Sequence, residues 1–507
     1  MKPSLRLAFS CLLALSCAPK PAVAPAPAPS AAPLAAPEAK PAASDTIEPP
    51  TSGISPSAPF PSITHRDLEN GLGLRIVERH VHPIVELRLV VRSGSASDGE
   101  HPGLAAVAGE LLKAGGAGGM NPEQLVRRAE ALGADLDVTT DRDSTRIALG
   151  VTSGDFEKAL DILAAVATKP AFAPVEFNKL RAREIERVKS AARGSAAWAA
   201  SMVLYRELFE IPTAIHPYSR FDAQPAELEK LTLESCRQWH KANFVPANAS
   251  LVVVGDISPD RVEAAAKKAF GDWKSQPAPN LSVGTPFPPQ RQEVFVVDRP
   301  GAAQSQIYVG LLGLARSNPD YPALAAANQI LGGGVSSRLF LDVREKRSLA
   351  YSTGSSLGDL AQSPGALVLS AGTQTAKTVD AVDALLDNLN AIANHAPLEN
   401  ELTSAIRFLK DGFVFRLETV GSVADLTSQL YVLGLPDDYY DVFRKSLGEL
   451  NLPTVSAVAT RVYQKTPVVV VAGDGATLGP TLAKFGPVTV LDPEHGFSLK
   501  KSYPAKP

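Results

Sequence analysis

The sequence predicts an α+β protein built from two homologous halves, each an antiparallel sheet packed with helices on one side. Three observations carry this. The chain has 507 residues, too many for one hydrophobic core. Strand-like and helix-like runs alternate within each half. Two stretches also recur at nearly equal spacing. Pro102, Leu104, Ala105, Ala106 and Leu111 of HPGLAAVAGELL match Pro322, Leu324, Ala325, Ala326 and Leu331 of YPALAAANQIL, an offset of 220. The strand ending LVVVGD (251–256) returns as VVVVAGD (468–474), with Gly255 and Asp256 matching Gly473 and Asp474 at an offset of 218. Two anchors with nearly the same offset mark a duplicated unit of about 220 residues.

The chain opens with MKPSLRLAFSCLLALSCAPK, in which Lys2 and Arg6 precede the apolar run Leu7 to Leu15. Charge, length and flanks make residues 1–17 a secretory leader, too short to span a bilayer. Ala14-Leu15-Ser16-Cys17 is similar to a bacterial lipobox, so Cys17 is the candidate lipidation site, with simple cleavage near Ala24 as the alternative. Residues 18–60 are dominated by Pro and Ala and read as an extended tether. The expected setting is therefore the bacterial cell envelope, lipid-anchored and facing the periplasm, with no other contact with the membrane.

The first half is expected over 61–274, a Pro-rich linker over 275–290, and the second half over 291–500. Within the first, IVELRLVV (84–91) alternates Val85, Leu87 and Leu89 against Glu86 and Arg88, as a strand does. A helix follows, with Leu104, Val107, Leu111 and Leu112 in register but only small residues and Glu110 between them. NPEQLVRRAEALG (121–133) is a second amphipathic helix stopped by Gly133, and residues 134–152 read as a hairpin. A longer helical region runs from Ser153 to about Leu208, broken at Lys169-Pro170.

Several functions are excluded at this point. A net charge of −3 gives no electrostatic reason for a nucleic-acid partner. Only Cys236 lies in the folded part, so an internal disulfide and a cysteine zinc site are ruled out, and Cys236 reads as a small apolar core residue. LGGGVSSRL (331–339) lacks the Lys-Ser/Thr of a phosphate-binding loop. None of the eight histidines forms an i,i+4 pair.

The stretches ENGLGLRIVE (69–78), VRSGSASDGEHPGLA (91–105), HPYSRF (216–221), VPANASLVVVGDI (245–257) and SSRLFLDVREKRSLAYS (336–352) together resemble the insulinase/pitrilysin family of zinc peptidases, the inverzincins. The resemblance implies two homologous domains facing each other over a chamber. It also implies H-x-x-E-H in the helix after Pro-Gly-Leu-Ala, where two histidines hold zinc and the Glu activates water. Here those positions carry Ala106, Gly109 and Glu110, so both imidazoles and the base are missing. The third ligand position falls on Glu184 or Glu186, and an i,i+2 acidic pair on a charge-rich helix reads first as a solvated face. No metal ligand set is intact. By the same resemblance, REKRSLAY supplies Arg344 and Tyr351, the pair that holds substrate backbone beside the zinc in the family's peptidases. Without the resemblance, Arg344 would be read as complementing a helix end and Tyr351 as a half-buried strand residue.

The implied function is a substrate-binding, non-metal subunit of a heteromeric zinc peptidase, inactive alone. It would bind no cofactor itself and would complete the site of a related H-x-x-E-H partner acting on peptides. An inert scaffold or peptide-binding protein of the same fold is the alternative. An autonomous peptidase using Glu110 and Glu184 is the third reading.

Overall fold

A computed structural model describes residues 58–211, 215–287 and 289–506. The leader, Cys17 and almost all of the tether lie outside the described residues. Residues 58–506 belong to one compact unit. No helix among the described residues is long and apolar enough to cross a membrane.

The first sheet contains β1 (Thr64–Asp67), β2 (Gly73–Glu78), β3 (Ile84–Val91), β4 (Asp137–Thr140), β5 (Thr145–Thr152) and β6 (Ala249–Gly255). The second contains β7 (Glu293–Asp298), β8 (Gln304–Leu312), β9 (Ala350–Leu357), β10 (Ala366–Gln374), β11 (Val468–Gly473), β12 (Val488–Asp492) and β13 (Ser498–Tyr503). Their orders are β1-β2-β6-β3-β5-β4 and β13-β12-β7-β11-β8-β10-β9. The run β2-β6-β3-β5-β4 thus reappears as β7-β11-β8-β10-β9, and the duplication read from sequence offsets is present in the topology.

The sheets are mixed rather than purely antiparallel. β6 runs parallel to β2 and antiparallel to β3, and β11 repeats this between β7 and β8. Each is a late strand that returns to the middle of its sheet, where every residue is buried. That double burial explains the unbroken LVVV and VVVV runs. A side-chain pattern reports which faces are covered, not strand direction, so the sequence could not separate the two arrangements.

The helical region 153–208 forms α3 (Phe156–Thr168), α4 (Pro174–Gly194) and α5 (Ala196–Leu208), preceded by α1 (Leu104–Ala114) and α2 (Pro122–Glu130). A second break separates α4 from α5, because the Ser195 hydroxyl accepts from the Trp198 amide at 3.1 Å and starts a new helix. In the second half, α6 (Tyr321–Gly332) follows β8 and α7 (Val420–Val432) lies near the middle.

Helices do not stay on one side of their own sheet. Helix α5, from the first half, packs on β8 and β11 of the second sheet. Gly310 on β8 makes room for it: a Cβ there would sit 2.5 Å from Leu204 Cδ1 and 3.0 Å from Leu208 Cδ1. Helix α7, from the second half, lies on β3 and β6 of the first sheet. Its Val423, Leu426 and Leu430 share a core with Val90, Val252 and Val254. Equivalent helices of the two repeats are therefore exchanged, and each sheet is covered on both faces. Periodicity identifies these segments as helices but not the sheet they cover.

Candidate functional site

Helix α1 begins where Gly103 adopts φ 85° and the Asp98 carboxylate accepts from the Gly103 and Ala105 amides, both at 2.7 Å. These are orphan donors of the helix start, and Asp98 satisfies them from the preceding loop. Burial pushes the Asp98 carboxyl up to about 7, against the two amides that favour its charged form.

The three altered positions of α1 differ sharply in surroundings. Ala106 is exposed, on a pocket of about 380 Å³ lined by first-half residues alone. Gly109 is buried, and a Cβ there would lie 2.2 Å from Thr140 Oγ1 on β4. Thr140 is itself linked to Thr145 at 3.2 Å, whose hydroxyl donates to the Ser93 carbonyl at 2.8 Å. Thr140 thus occupies the space that a side chain at position 109 would need. Glu110 is half-exposed and paired with Arg183 of α4 at 3.1 Å.

On α4, Glu184 accepts from Arg187 at 2.6 Å, and Arg183 lies 3.9 Å away. Arg187 also makes a two-pronged contact with Asp222, at 2.9 and 3.0 Å. Burial opposes the Arg187 charge, but Asp222 and Glu184 hold its pKa above the usual guanidinium value. Glu186 faces solvent with Lys189, as an acidic residue on a charge-rich face should, whereas Glu184 is only 20% exposed. An alanine and two carboxylates already held by arginines do not fit a zinc ion, which prefers nitrogen and sulfur donors in a tetrahedron. Among the described residues no group of three His, Cys, Asp or Glu side chains is placed to hold a metal.

Arg344 and Tyr351 lie in the second half. Arg344 belongs to a wide-turned π-helical segment, Phe340–Lys346. Its guanidinium carbon is 4.7 Å from the Phe340 ring centroid and 5.4 Å from that of Tyr351, with Glu345 at 3.5 Å. Tyr351 sits on β9, the free edge of the second sheet, and is 85% exposed. It is therefore not the half-buried strand residue that β-propensity suggests. Within the chain, Arg344 and Tyr351 are brought together, but no second-half residue lines the pocket at Ala106.

Two groups at this pocket were not singled out by sequence reasoning, Arg142 and Arg220. Arg142 sits in the turn DRDS between β4 and β5, a turn signal that marks a loop tip but not its direction. Cys236 is fully buried, where burial raises its thiol pKa to about 12, consistent with a packing role.

His216 and His240 are structural. His216 Nε2 meets the Gly284 carbonyl at 2.9 Å, while its Nδ1 accepts from the Tyr218 amide at 3.1 Å. His240 Nε2 bonds the Ala167 carbonyl at 2.8 Å, and burial lowers its pKa to about 4. The folded chain keeps His240 neutral where the unfolded chain protonates near 6.5, so its contribution is present above that pH and lost as pH falls towards 4. The stability difference between wild type and His240→Gln should therefore shrink by about 3 kcal/mol from pH 7 to pH 4 in urea titrations. A pH-independent difference would show that His240 titrates normally.

Residues 75–208 match the model described as insulinase (peptidase family M16), and residues 230–409 match the peptidase M16 inactive domain, so the two together cover more than half of the chain. An uncharacterized zinc protease of Mycobacterium leprae is 25% identical over 429 residues, covering 81% of this chain and 91% of that protein. An uncharacterized zinc protease of Streptomyces coelicolor is 28% identical over 250 residues, 48% of this chain and 54% of its own length. A Bacillus subtilis protein named a probable inactive metalloprotease is 25% identical over 222 residues, 43% of this chain and 49% of that protein. The solved structure of a peptidase M16 inactive domain from Pseudomonas fluorescens matches with a TM-score of 0.75 at 24% identity, covering 82% of this chain and 98% of that one. This last likeness shows the fold.

Proposed function

Because the chain belongs to the insulinase (M16) peptidase family, we propose that it is the substrate-holding, non-metal subunit of a heteromeric zinc peptidase. Its partner is a related chain carrying H-x-x-E-H, which supplies the zinc and the water-activating Glu. The observation that carries the proposal is the contrast between the two halves. In the first, Thr140 fills the space that a side chain at position 109 would need and arginines hold the remaining carboxylates. In the second, Tyr351 stands exposed on a free sheet edge beside the Arg344 guanidinium. Across a shared site, Arg344 donates to a peptide carbonyl and the Tyr351 hydroxyl donates to the oxyanion that forms as water adds. The leader and Cys17 support a chain tethered in the cell envelope.

The test is hydrolysis of a quenched fluorescent peptide library by purified residues 18–507, alone and mixed with a zinc-loaded H-x-x-E-H family chain encoded beside it. Activity is expected only on mixing. Tyr351→Phe, with an unchanged melting temperature, should then lower kcat by about 100-fold, the scale for losing one oxyanion donor. Full activity of the mixture with Tyr351→Phe would remove Tyr351 from the mechanism. No activity on mixing would favour an inert peptide-binding scaffold.

A further inference from the structure

The pocket at Ala106 has lost the donors for a cation, but its wall carries two arginines. We propose that this pocket binds a carboxylate, that of the C-terminal residue of a peptide with an apolar end, through Arg142 and Arg220. The inference does not depend on a partner subunit and would stand if the chain took no part in hydrolysis.

Arg142 and Arg220 line both the pocket of about 380 Å³ and a neighbouring cavity of about 940 Å³, so they stand where the two meet. The Arg142 guanidinium stacks on Tyr205, its carbon 3.7 Å from the ring centroid, with Phe221 at 5.4 Å. Stacking uses the face of the group. Its N–H edge makes no hydrogen bond or ion pair among the described residues. Arg220 pairs with Glu227 at 3.5 Å through a buried Nη1 that makes no hydrogen bond, while its side chain as a whole is 30% exposed and lines the pocket. The free N–H edge of Arg142, beside the partly exposed Arg220 guanidinium, forms a receptor for a planar anion.

The acidic residues of the pocket are each hydrogen-bonded to other donors and make no hydrogen bond to these arginines, although Asp98 lies close enough to feel the Arg220 charge. Asp98 accepts from two amides of the α1 start. Asp141 accepts from the Asp143 and Ser144 amides and from the Ser144 hydroxyl. Asp222 accepts from Arg187, from the Trp198 indole at 2.8 Å and from the Ala223 amide.

The arginine is also held in place before any ligand arrives. The turn bearing Arg142 is closed by the Asp141 amide on the Ser144 carbonyl at 2.9 Å, and the Ser95 and Ala96 amides bond the Asp141 and Arg142 carbonyls, both at 2.9 Å. A preorganised donor loses little entropy on binding. Around it, Ala106, Tyr205, Phe221 and Ala223 supply an apolar lining that suits a hydrophobic last residue.

The experiment is fluorescence anisotropy of residues 18–507 with N-terminally labelled Gly-Gly-Ala-Leu-Phe, as free acid and as C-terminal amide. A third probe is the amide with Asp in the last position. The free acid should bind, amidation should weaken it at least about 10-fold, and Arg142→Met, whose stem still covers Tyr205, should do the same without lowering the melting temperature. Arg220→Gln provides a second variant if Arg142→Met folds poorly. Binding of the Asp amide as tightly as the free acid would keep the carboxylate but move its source to a side chain. Equal binding of acid and amide, undiminished binding by both variants, or no binding of the free acid at millimolar concentration would overturn the proposal.

Discussion

Writing the family's zinc motif back into α1, by Ala106→His, Gly109→Glu and Glu110→His together, is expected to yield a chain that binds no zinc and melts at a lower temperature than wild type. Position 109 decides this. Any Cβ there meets Thr140 Oγ1 at 2.2 Å, and that hydroxyl is tied into the Thr145 and Ser93 chain. The helix gains about 1 kcal/mol from replacing Gly by a better helix former, but forcing side-chain atoms into a packed interior typically costs 1–3 kcal/mol, so overpacking wins. Gly109→Ala alone should therefore already destabilise, against its helix propensity. The third ligand is also unready, because Glu184 is held by Arg187. Adding Thr140→Ala leaves nothing nearer than the Thr140 Cβ, 3.4 Å from the new Cβ, and should restore most of the lost melting temperature. Metal content after dialysis and thermal melts of the four chains check this. One zinc per triple variant at wild-type stability would show that the site is merely unfilled rather than rebuilt.

Leu426→Ala in α7 and Leu204→Ala in α5 should each cost about 2–5 kcal/mol, and each should lower the stability of both halves in one transition. Leu426 is 1% exposed and packs on first-sheet valines, and Leu204 is 1% exposed against the second sheet. The three tryptophans, Trp198, Trp239 and Trp273, all belong to the first half. Trp239 and Trp273 pack within the first half, but Trp198 on α5 stands 5.9 Å from the Phe497 ring of the second. In a Trp198→Phe background fluorescence therefore reports the first half, whereas far-ultraviolet circular dichroism reports both. With exchanged helices, Leu426→Ala in the second half shifts the fluorescence midpoint by as much as the dichroism midpoint. A fluorescence transition left unmoved while the dichroism splits would mean that the halves unfold independently.

The legible part of this protein was the part written in local periodicity and in pairs of equivalent residues. Leu104, Val107 and Leu111 announced α1, and the Gly-Asp strand ends at 255–256 and 473–474 announced the repeat. The amphipathic run 121–133 announced α2, whose reciprocal Asn121–Gln124 cap only the structure shows. Strand direction and helix exchange were not legible, because burial on two faces looks the same in sequence whichever neighbour provides it. At the site, the missing His, Glu and His of α1 could be read directly. The reason that Gly stands at 109 could not, since Thr140 lies on another element 31 residues on and is joined to it only by folding. Arg142 and Arg220 were hidden for the same reason: their joint placement is a property of the turn after β4 and of the loop after α5, not of either segment.

The exchange of α5 and α7 also bears on how such a chain arose. A single ancestral unit of this kind would fold with one face of its sheet bare, since the helix that belongs on that face reaches away to a neighbour. Two copies related by a twofold axis would each donate that helix to the other, giving a closed, self-complementary dimer. Fusion of the two copies into one chain would preserve the arrangement while freeing each copy to diverge. The small residues of α1 and the Arg344–Tyr351 pair near β9 would then be separate divergences of two like units, held together by a contact neither can give up.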